Sequence, residues 1–159
     1  MATYKYPRTG AVGSVILTAE VTDAFVQNSA VEAEIIQPKN SILVKAYLRC
    51  VSQPTITASM DLGVKIGTAT GGTEVFEDAD GIIDAAANTT AFKTDGMIDI
   101  GIAPTTAASE TTGAATLDKL FTIEERTLFC NTTATNSAIS AAGTVEWILY
   151  FDVLPTNHA

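Results

Sequence analysis

The chain has a single histidine, His158, next to last among its 159 residues. A Ser-His-Asp or Cys-His pair needs a buried, oriented imidazole, which a tail position does not readily supply. Cysteine is nearly as scarce. Cys50 and Cys130 are the two present, and neither has a histidine close by in sequence, so no zinc-ligand spacing arises. Basic residues are few: nine Lys and Arg against eighteen Asp and Glu give a net charge of −9. They are scattered singly, and the basic stripe that phosphate recognition requires is missing. That argues against nucleic acid as a direct partner, and the negative charge also aids solubility. Charged residues make up only 17% and hydrophobic residues 47%, which excludes a disordered chain. No stretch approaches the about 18 consecutive apolar residues of a membrane helix, and the opening M-A-T-Y-K-Y-P-R-T-G lacks a signal-peptide apolar core. The expectation is a protein made in a cytoplasm and not inserted into a membrane. Cys50 and Cys130 then read as buried thiols, with a disulfide left open should their strands be neighbours in an oxidising exterior.

What the chain does have is small residues and alternation. One domain of this length buries roughly two thirds of the surface its unfolded chain exposes. Ala, Thr, Ser and Gly fill the low-charge remainder, and Thr with Val and Ile favours strands. From Ser41 to Ser52, Ile42, Val44, Ala46, Leu48 and Cys50 share one parity, with Lys45, Tyr47 and Arg49 on the other. Successive strand residues point to opposite faces, so this reads as one buried and one wetter face. Met60, Leu62, Val64 and Ile66 repeat the pattern against Asp61, Gly63, Lys65 and Gly67. Pro54 in the gap and Gly71-Gly72 after the second run mark the ends, so the pair reads as two antiparallel strands of a sheet.

Further alternation falls at 14–21, 31–36, 95–102, 128–135 and 143–153, with the last two read as a hairpin around the loop 136–142. Residues 73–76 read as a short strand. Residues 77–88 are ambiguous: Phe76, Ile83 and Ala87 would share a helical face, so one short helix fits there. The small, low-complexity stretch 103–116 reads as an exposed loop, and 117–126 as a short strand and turn. All five prolines (Pro7, Pro38, Pro54, Pro104 and Pro155) fall at expected strand ends. The sum is an all-β, single-domain antiparallel β-sandwich of the jelly-roll or Greek-key kind, with about eight strands and at most one short helix. An extended N-terminal arm spans 1–13, the sandwich 14–154 and a C-terminal tail 155–159. Long connections such as 77–94 favour Greek-key crossings over a meander.

No residue set presents a catalytic, cofactor or metal site. Glu74, Glu77, Asp78, Asp80 and Asp84 cluster, and carboxylates bind hard cations, but the spacing departs from the EF-hand loop and a solvated acidic loop is the simpler reading. Glycoside hydrolysis needs paired carboxylates in a cleft lined for sugars, and the lone Trp147 lies mid-strand among large neighbours. Gly63, Gly67, Gly71 and Gly72 do not spell a phosphate loop and instead suggest a bulge or close backbone approach. The N-T-T triplets at Asn88 and Asn131 read as chance. The expectation is a protein that is not an enzyme, with no cofactor and no small-molecule substrate.

Interfaces are better represented. Tyr4, Tyr6 and Arg8 are residue types that anchor protein contacts, so the N-terminal segment reads either as an arm lying on a partner or as a frayed terminus. In the last strand, Val145, Trp147, Leu149, Phe151 and Val153 alternate with Glu146, Ile148, Tyr150 and Asp152. Large residues on both parities suggest cover on both faces, by core and by another subunit. Trp147 and Tyr150 therefore join Tyr4, Tyr6 and Arg8 as interface candidates. Together with the apolar Ala/Thr-rich loop, that second face motivates a homotrimer.

The strand P-K-N-S-I-L-V-K-A-Y-L is succeeded by A-S-M-D-L-G-V-K-I-G-T-A-T-G-G-T, then D-A-D-G-I-I-D, and finally G-T-V-E-W-I-L-Y-F-D-V. Over residues 38–153 this resembles the small jelly-roll decoration, or cement, proteins of tailed bacteriophage heads. The resemblance implies a β-sandwich on the outer face of an icosahedral capsid, often trimeric, clamping neighbouring major capsid proteins. It makes the major capsid protein the expected partner and the virion surface the expected location. The alternative is a tail or fibre module that binds a host glycan or receptor.

Overall fold

The structure is a computed structural model, and it describes residues 3–9, 15–25, 32–56, 60–86, 96–102, 104–105, 115–135, 139–141 and 143–154. In chain order the strands are β1 (Thr3–Thr9), β2 (Val15–Phe25), β3 (Ala33–Gln37), β4 (Ser41–Ser52), β5 (Thr55–Ile56), β6 (Met60–Gly67), β7 (Phe76–Ala86), β8 (Met97–Asp99), β9 (Pro104–Thr105) and β10 (Ala115–Thr116). A single helical turn, α1 (Leu117–Leu120), precedes β11 (Phe121–Thr122), β12 (Arg126–Thr135), β13 (Ile139–Ala141) and β14 (Gly143–Val153). The protein is an all-β sandwich. One sheet runs β1-β2-β14-β4-β11, with β8 also pairing β4, and the other runs β3-β12-β6-β7. Every ladder in these two sheets is antiparallel. Two small ribbons, β13-β5 and the parallel β10-β9, complete the described residues.

The core lies between the two inner faces. From the six-stranded sheet come Leu43, Ala46, Leu48 and Cys50 of β4 and Val145, Trp147, Leu149 and Phe151 of β14, all fully buried. Ala33, Ile35, Val64, Ile66, Leu128 and Cys130 meet them from the four-stranded sheet in the same cluster. Removing a large aliphatic side chain from water stabilises by about 1.5–3 kcal/mol, so this layer dominates the folding energy. The two cysteines lie one in each sheet, both buried.

Several expectations change. On β4 the inward residue near the start is Leu43, while Ile42 and Val44 are only half-buried. The ladder explains it: Tyr150 pairs with Lys45 but Phe151 pairs with Leu43, leaving Val44 as an extra residue. A bulge of one residue reverses the parity of the strand on its far side. The runs 41–52 and 60–67 are not neighbours in one sheet, because β4 and β6 belong to different sheets. Likewise 128–135 and 143–153 are not a hairpin, since β12 and β14 lie in opposite layers. Alternation says which side chains face inward, and the two inner faces of a sandwich look the same in sequence.

The hairpin in this region is β6–β7, whose turn contains Gly71 at φ 71. Residues 76–86 form a strand and not a helix. The β6–β7 ladder slips repeatedly, with Leu62 opposite both Ile83 and Gly81, and such slips scramble strict alternation into a spacing that mimics a helical face. The helical turn occurs instead at 117–120.

The N-terminal segment is extended, and Thr3–Thr9 pairs with β2 at the edge of the six-stranded sheet. Its register breaks between Lys5 and Arg8, the interval that holds Pro7. Proline cannot donate to a ladder and is tolerated at an edge or a bulge.

Two corners fix how the layers join. At the β3–β4 turn, Gln37 is fully buried. Its Nε2 donates to the carbonyl oxygens of Ser41 at 3.1 Å and Leu120 at 2.8 Å, and its Oε1 accepts from Arg126 Nε at 2.9 Å. Arg126 Nη2 donates to the Lys119 carbonyl at 2.6 Å. Asn40 adopts φ 51, a left-handed conformation that asparagine tolerates, and its carbonyl accepts from Leu154 N at 2.8 Å. Burial lowers the pKa of Arg126, but a guanidinium remains charged in proteins. At the second corner, a Cβ placed on Gly143 would meet Ser52 O at 2.5 Å and Pro54 N at 2.7 Å. The start of β14 and the end of β4 approach so closely that only glycine fits.

Candidate interaction surface

The outer face of the six-stranded sheet gathers the side chains suited to recognition. Paired residues in a ladder share a face, so the register reads as rows across strands. One row runs Thr3, Glu20, Ile148, Tyr47, Asp99; another runs Lys5, Thr18, Tyr150, Lys45. On one side lies the row Thr22, Glu146, Arg49, Met97. On the other lies Arg8, Ile16, Asp152, Ile42, Phe121.

Between β4 and β14 these rows interlock. Arg49 Nη2 lies 2.6 Å from Glu146 Oε2, and Arg49 Nε donates to the same oxygen at 2.7 Å. The Tyr47 and Tyr150 rings meet edge to face, with centroids 5.8 Å apart and planes at 82°, a favoured aromatic geometry. Lys45 Nζ donates to the Tyr47 phenol oxygen at 3.1 Å and stands 5.7 Å from the centroid of that ring. The phenol oxygen, by accepting this bond, raises the Lys45 pKa above its ordinary value. Met97, which pairs with Arg49, is 54% exposed; Val51, left as an extra residue where the β4–β14 register slips between Val145 and Thr144, is 38% exposed.

Among the residues of this face whose side chains are described, Lys45 and Arg49 stand with Asp99, Glu146 and Asp152. On the outer parity of the four-stranded sheet lie Glu34, Ile36, Phe129 and Lys65.

Of the interface candidates, Tyr150 lies on this face. Trp147 does not: it is fully buried in the core, because inward parity at the centre of the sheet sends the largest side chain between the layers. It underpins the face without presenting surface. Arg8 occupies the row of Asp152, Tyr4 pairs in register with Ala19, and Tyr6 falls in the register break. Residues 77–84 of the acidic cluster lie in β7, and Glu74 accepts from Thr68 N at 3.1 Å. Among the described residues no group of three His, Cys, Asp or Glu is placed to hold a metal ion. His158 and Asn88 lie outside the described residues, and Asn131 is half-buried on β12. Tyr47, Arg49 and Met97 were not singled out by sequence. Their wetter parity was readable, but nothing in the sequence makes β4 the neighbour of β14 and β8.

No protein-family model matches the chain, and no curated protein matches it. Solved structures do. A chain of the cyanophage Pam1 capsid asymmetric unit is similar at 19% identity with a TM-score of 0.53, covering 95% of this chain and 92% of that one. A chain of the acidic stable capsid structure of Helicobacter pylori bacteriophage KHP30 is similar at 14% identity and TM-score 0.41, covering 84% and 86%. A chain of the capsid of Ralstonia phage GP4 is similar at 17% identity and TM-score 0.38, covering 88% and 86%. The likeness to the Pam1 chain spans nearly the whole of both chains, and what it establishes is a shared fold.

Proposed function

We propose that this chain is a structural virion protein that decorates the outer surface of a phage capsid, binding the major capsid protein as a homotrimer and performing no catalysis. The observation that carries this reading is the end-to-end fold likeness to a chain from a phage capsid asymmetric unit. A fold alone does not assign a role, and three further features agree with this one. The net charge of −9 suits a surface turned away from packaged nucleic acid. The half-buried Tyr47, Tyr150 and Arg49 and the exposed Met97 belong to the residue types that enrich protein interfaces. A modest contact repeated over many copies of a shell sums to a large stabilisation.

The test uses capsids of the same phage assembled without this chain. Purified protein should co-sediment with them to a saturating stoichiometry and raise the temperature at which they rupture. Absence of any binding would overturn the proposal. Light scattering should give a mass three times that of the chain; a stable monomer would remove the trimer from solution. Binding to a glycan array in place of capsids would favour the tail or fibre alternative.

A further inference from the structure

We infer that residues 68–74, the turn between β6 and β7, form a strap latched by Glu32 across the outer face of the four-stranded sheet. The strap opens as a hinged unit while the sandwich stays folded, and opening uncovers Phe129. This inference stands apart from the capsid reading.

The course of the strap follows from its two attachments. Val64 and Ile66 are fully buried in the core, so Gly67 lies on the outward parity of β6. A Cβ on Gly67 would collide with the carbonyl carbon and oxygen of Gly72. The chain therefore doubles back over the outside of β6 and buries Gly67 beneath it. Beyond that point, Gly71 N donates to Glu32 Oε1. Glu32 precedes Ala33, which pairs with Cys130 of β12, and Gly67 pairs with Phe129 of the same strand. The attachments lie on opposite sides of β12, so the strap crosses that strand beside Phe129. That crossing accounts for a half-buried phenylalanine on an outward parity.

The hydrogen bonds fall into two kinds. Inside the strap, Gly72 N donates to the Ala69 carbonyl at 2.8 Å and Thr68 N to Glu74 Oε2 at 3.1 Å. These travel with the strap and keep its shape. At its neck, Val75 N donates to the Ile66 carbonyl at 3.0 Å, and Val75 and Phe76 are buried, so the hinge is anchored in the core. The Glu32 bond is of the other kind, because it ties the tip to the start of β3. The strap itself, T-A-T-G-G-T-E, has no large apolar side chain, so its own burial contributes little. A bond to an ionised acceptor is stronger than a neutral one, which suits Glu32 to the part of a latch. Segments with few buried apolar contacts open at free energies well below that of global unfolding. Once open, the strap leaves Phe129 next to Ile36, which is half-buried on the same face.

The test follows single amides and the Phe129 ring by NMR at neutral pH, in the parent, Glu32→Ala and Glu32→Gln. Glu32→Ala should speed hydrogen exchange at Gly71 about tenfold or more, as loss of a charge-assisted bond does, with Glu32→Gln in between. A soluble paramagnetic agent should relax the Phe129 ring protons faster in Glu32→Ala than in the parent. The Thr68 and Gly72 amides should keep their parent rates, because their bonds move with the strap. Faster exchange at Gly71 with an unchanged Phe129 ring would mean a lost bond without a moving strap. Acceleration of Thr68 and Gly72 would mean a loop that melts and does not hinge, and no change at Gly71 would mean that Glu32 latches nothing. Each of these overturns the inference. The Val64, Ile66 and Leu128 amides report on the sandwich. If they accelerate in Glu32→Ala, Glu32→Gln is read in its place, and acceleration in both variants overturns the inference as well.

Discussion

Gln37 and Thr132 are both fully buried polar residues, and they behave oppositely. The Gln37 amide satisfies two carbonyls and the Arg126 guanidinium. Replacing it with leucine strands all three, so Gln37→Leu should cost about 2–4 kcal/mol in urea unfolding, since each orphaned buried group carries its own desolvation penalty. Thr132 Oγ1 has no hydrogen-bonding partner. Thr132→Val keeps the shape and removes the unpaired hydroxyl, so it should range from neutral to about 1 kcal/mol stabilising. A loss comparable to that of Gln37→Leu would show that the hydroxyl is bonded after all. Neither role was readable beforehand. A glutamine beside Pro38 reads as a wet turn, and only the return of α1 and β12 over that turn closes it off. Lys45 is simpler. Its pKa is raised by Tyr47, so the stabilisation from this contact is fully present below the ordinary lysine range and is lost as pH rises through the higher folded value. The outer face therefore carries no switch at Lys45 near neutrality.

At the scale of elements, the period-two pattern identified most long strands and, from Val145 to Phe151, the inward parity of β14, although Ile148 on the other parity is buried too and Val153 is only half-buried. It failed where the ladder itself is irregular. Val44 is as apolar as its neighbours, so nothing in the string Ile42-Leu43-Val44 shows which residue is the extra one. The same holds for β7, whose slips against β6 turned a strand into an apparent helix. Partnership between strands was likewise hidden, because β4 could pair with any strand of suitable parity until the corners were fixed. Gly143 is one such corner. An added methyl group there meets backbone atoms of Ser52 and Pro54, not a side chain that could swing aside. Gly143→Ala should therefore destabilise by about 1–3 kcal/mol, the range for overpacking a close contact. A shift in the midpoint of thermal or urea unfolding would reveal it, and an unchanged midpoint would mean the corner yields freely.

For the molecule as a whole, acidic residues outnumber basic ones two to one, eighteen against nine, for a net charge of −9, and the isoelectric point is about 4.4. Lowering the pH toward that value removes the repulsion that keeps acidic surfaces apart. Light scattering should therefore show association growing as pH falls toward the isoelectric point and reversing on return to neutrality. Constant mass throughout would mean that net charge does not govern solubility. Of the surface itself, sequence put Tyr150 on the second face of β14, where the register also places it, but it could not assemble a row, which needs strands far apart in the chain. That separation is a product of the topology. The chain passes from one layer to the other between β2 and β3, β3 and β4, β4 and β6, β7 and β8, β11 and β12, and β12 and β14. A load that peels the two layers apart therefore pulls on connecting backbone at each lacing, as on the stitches between two cloths, as well as on the hydrophobic seam.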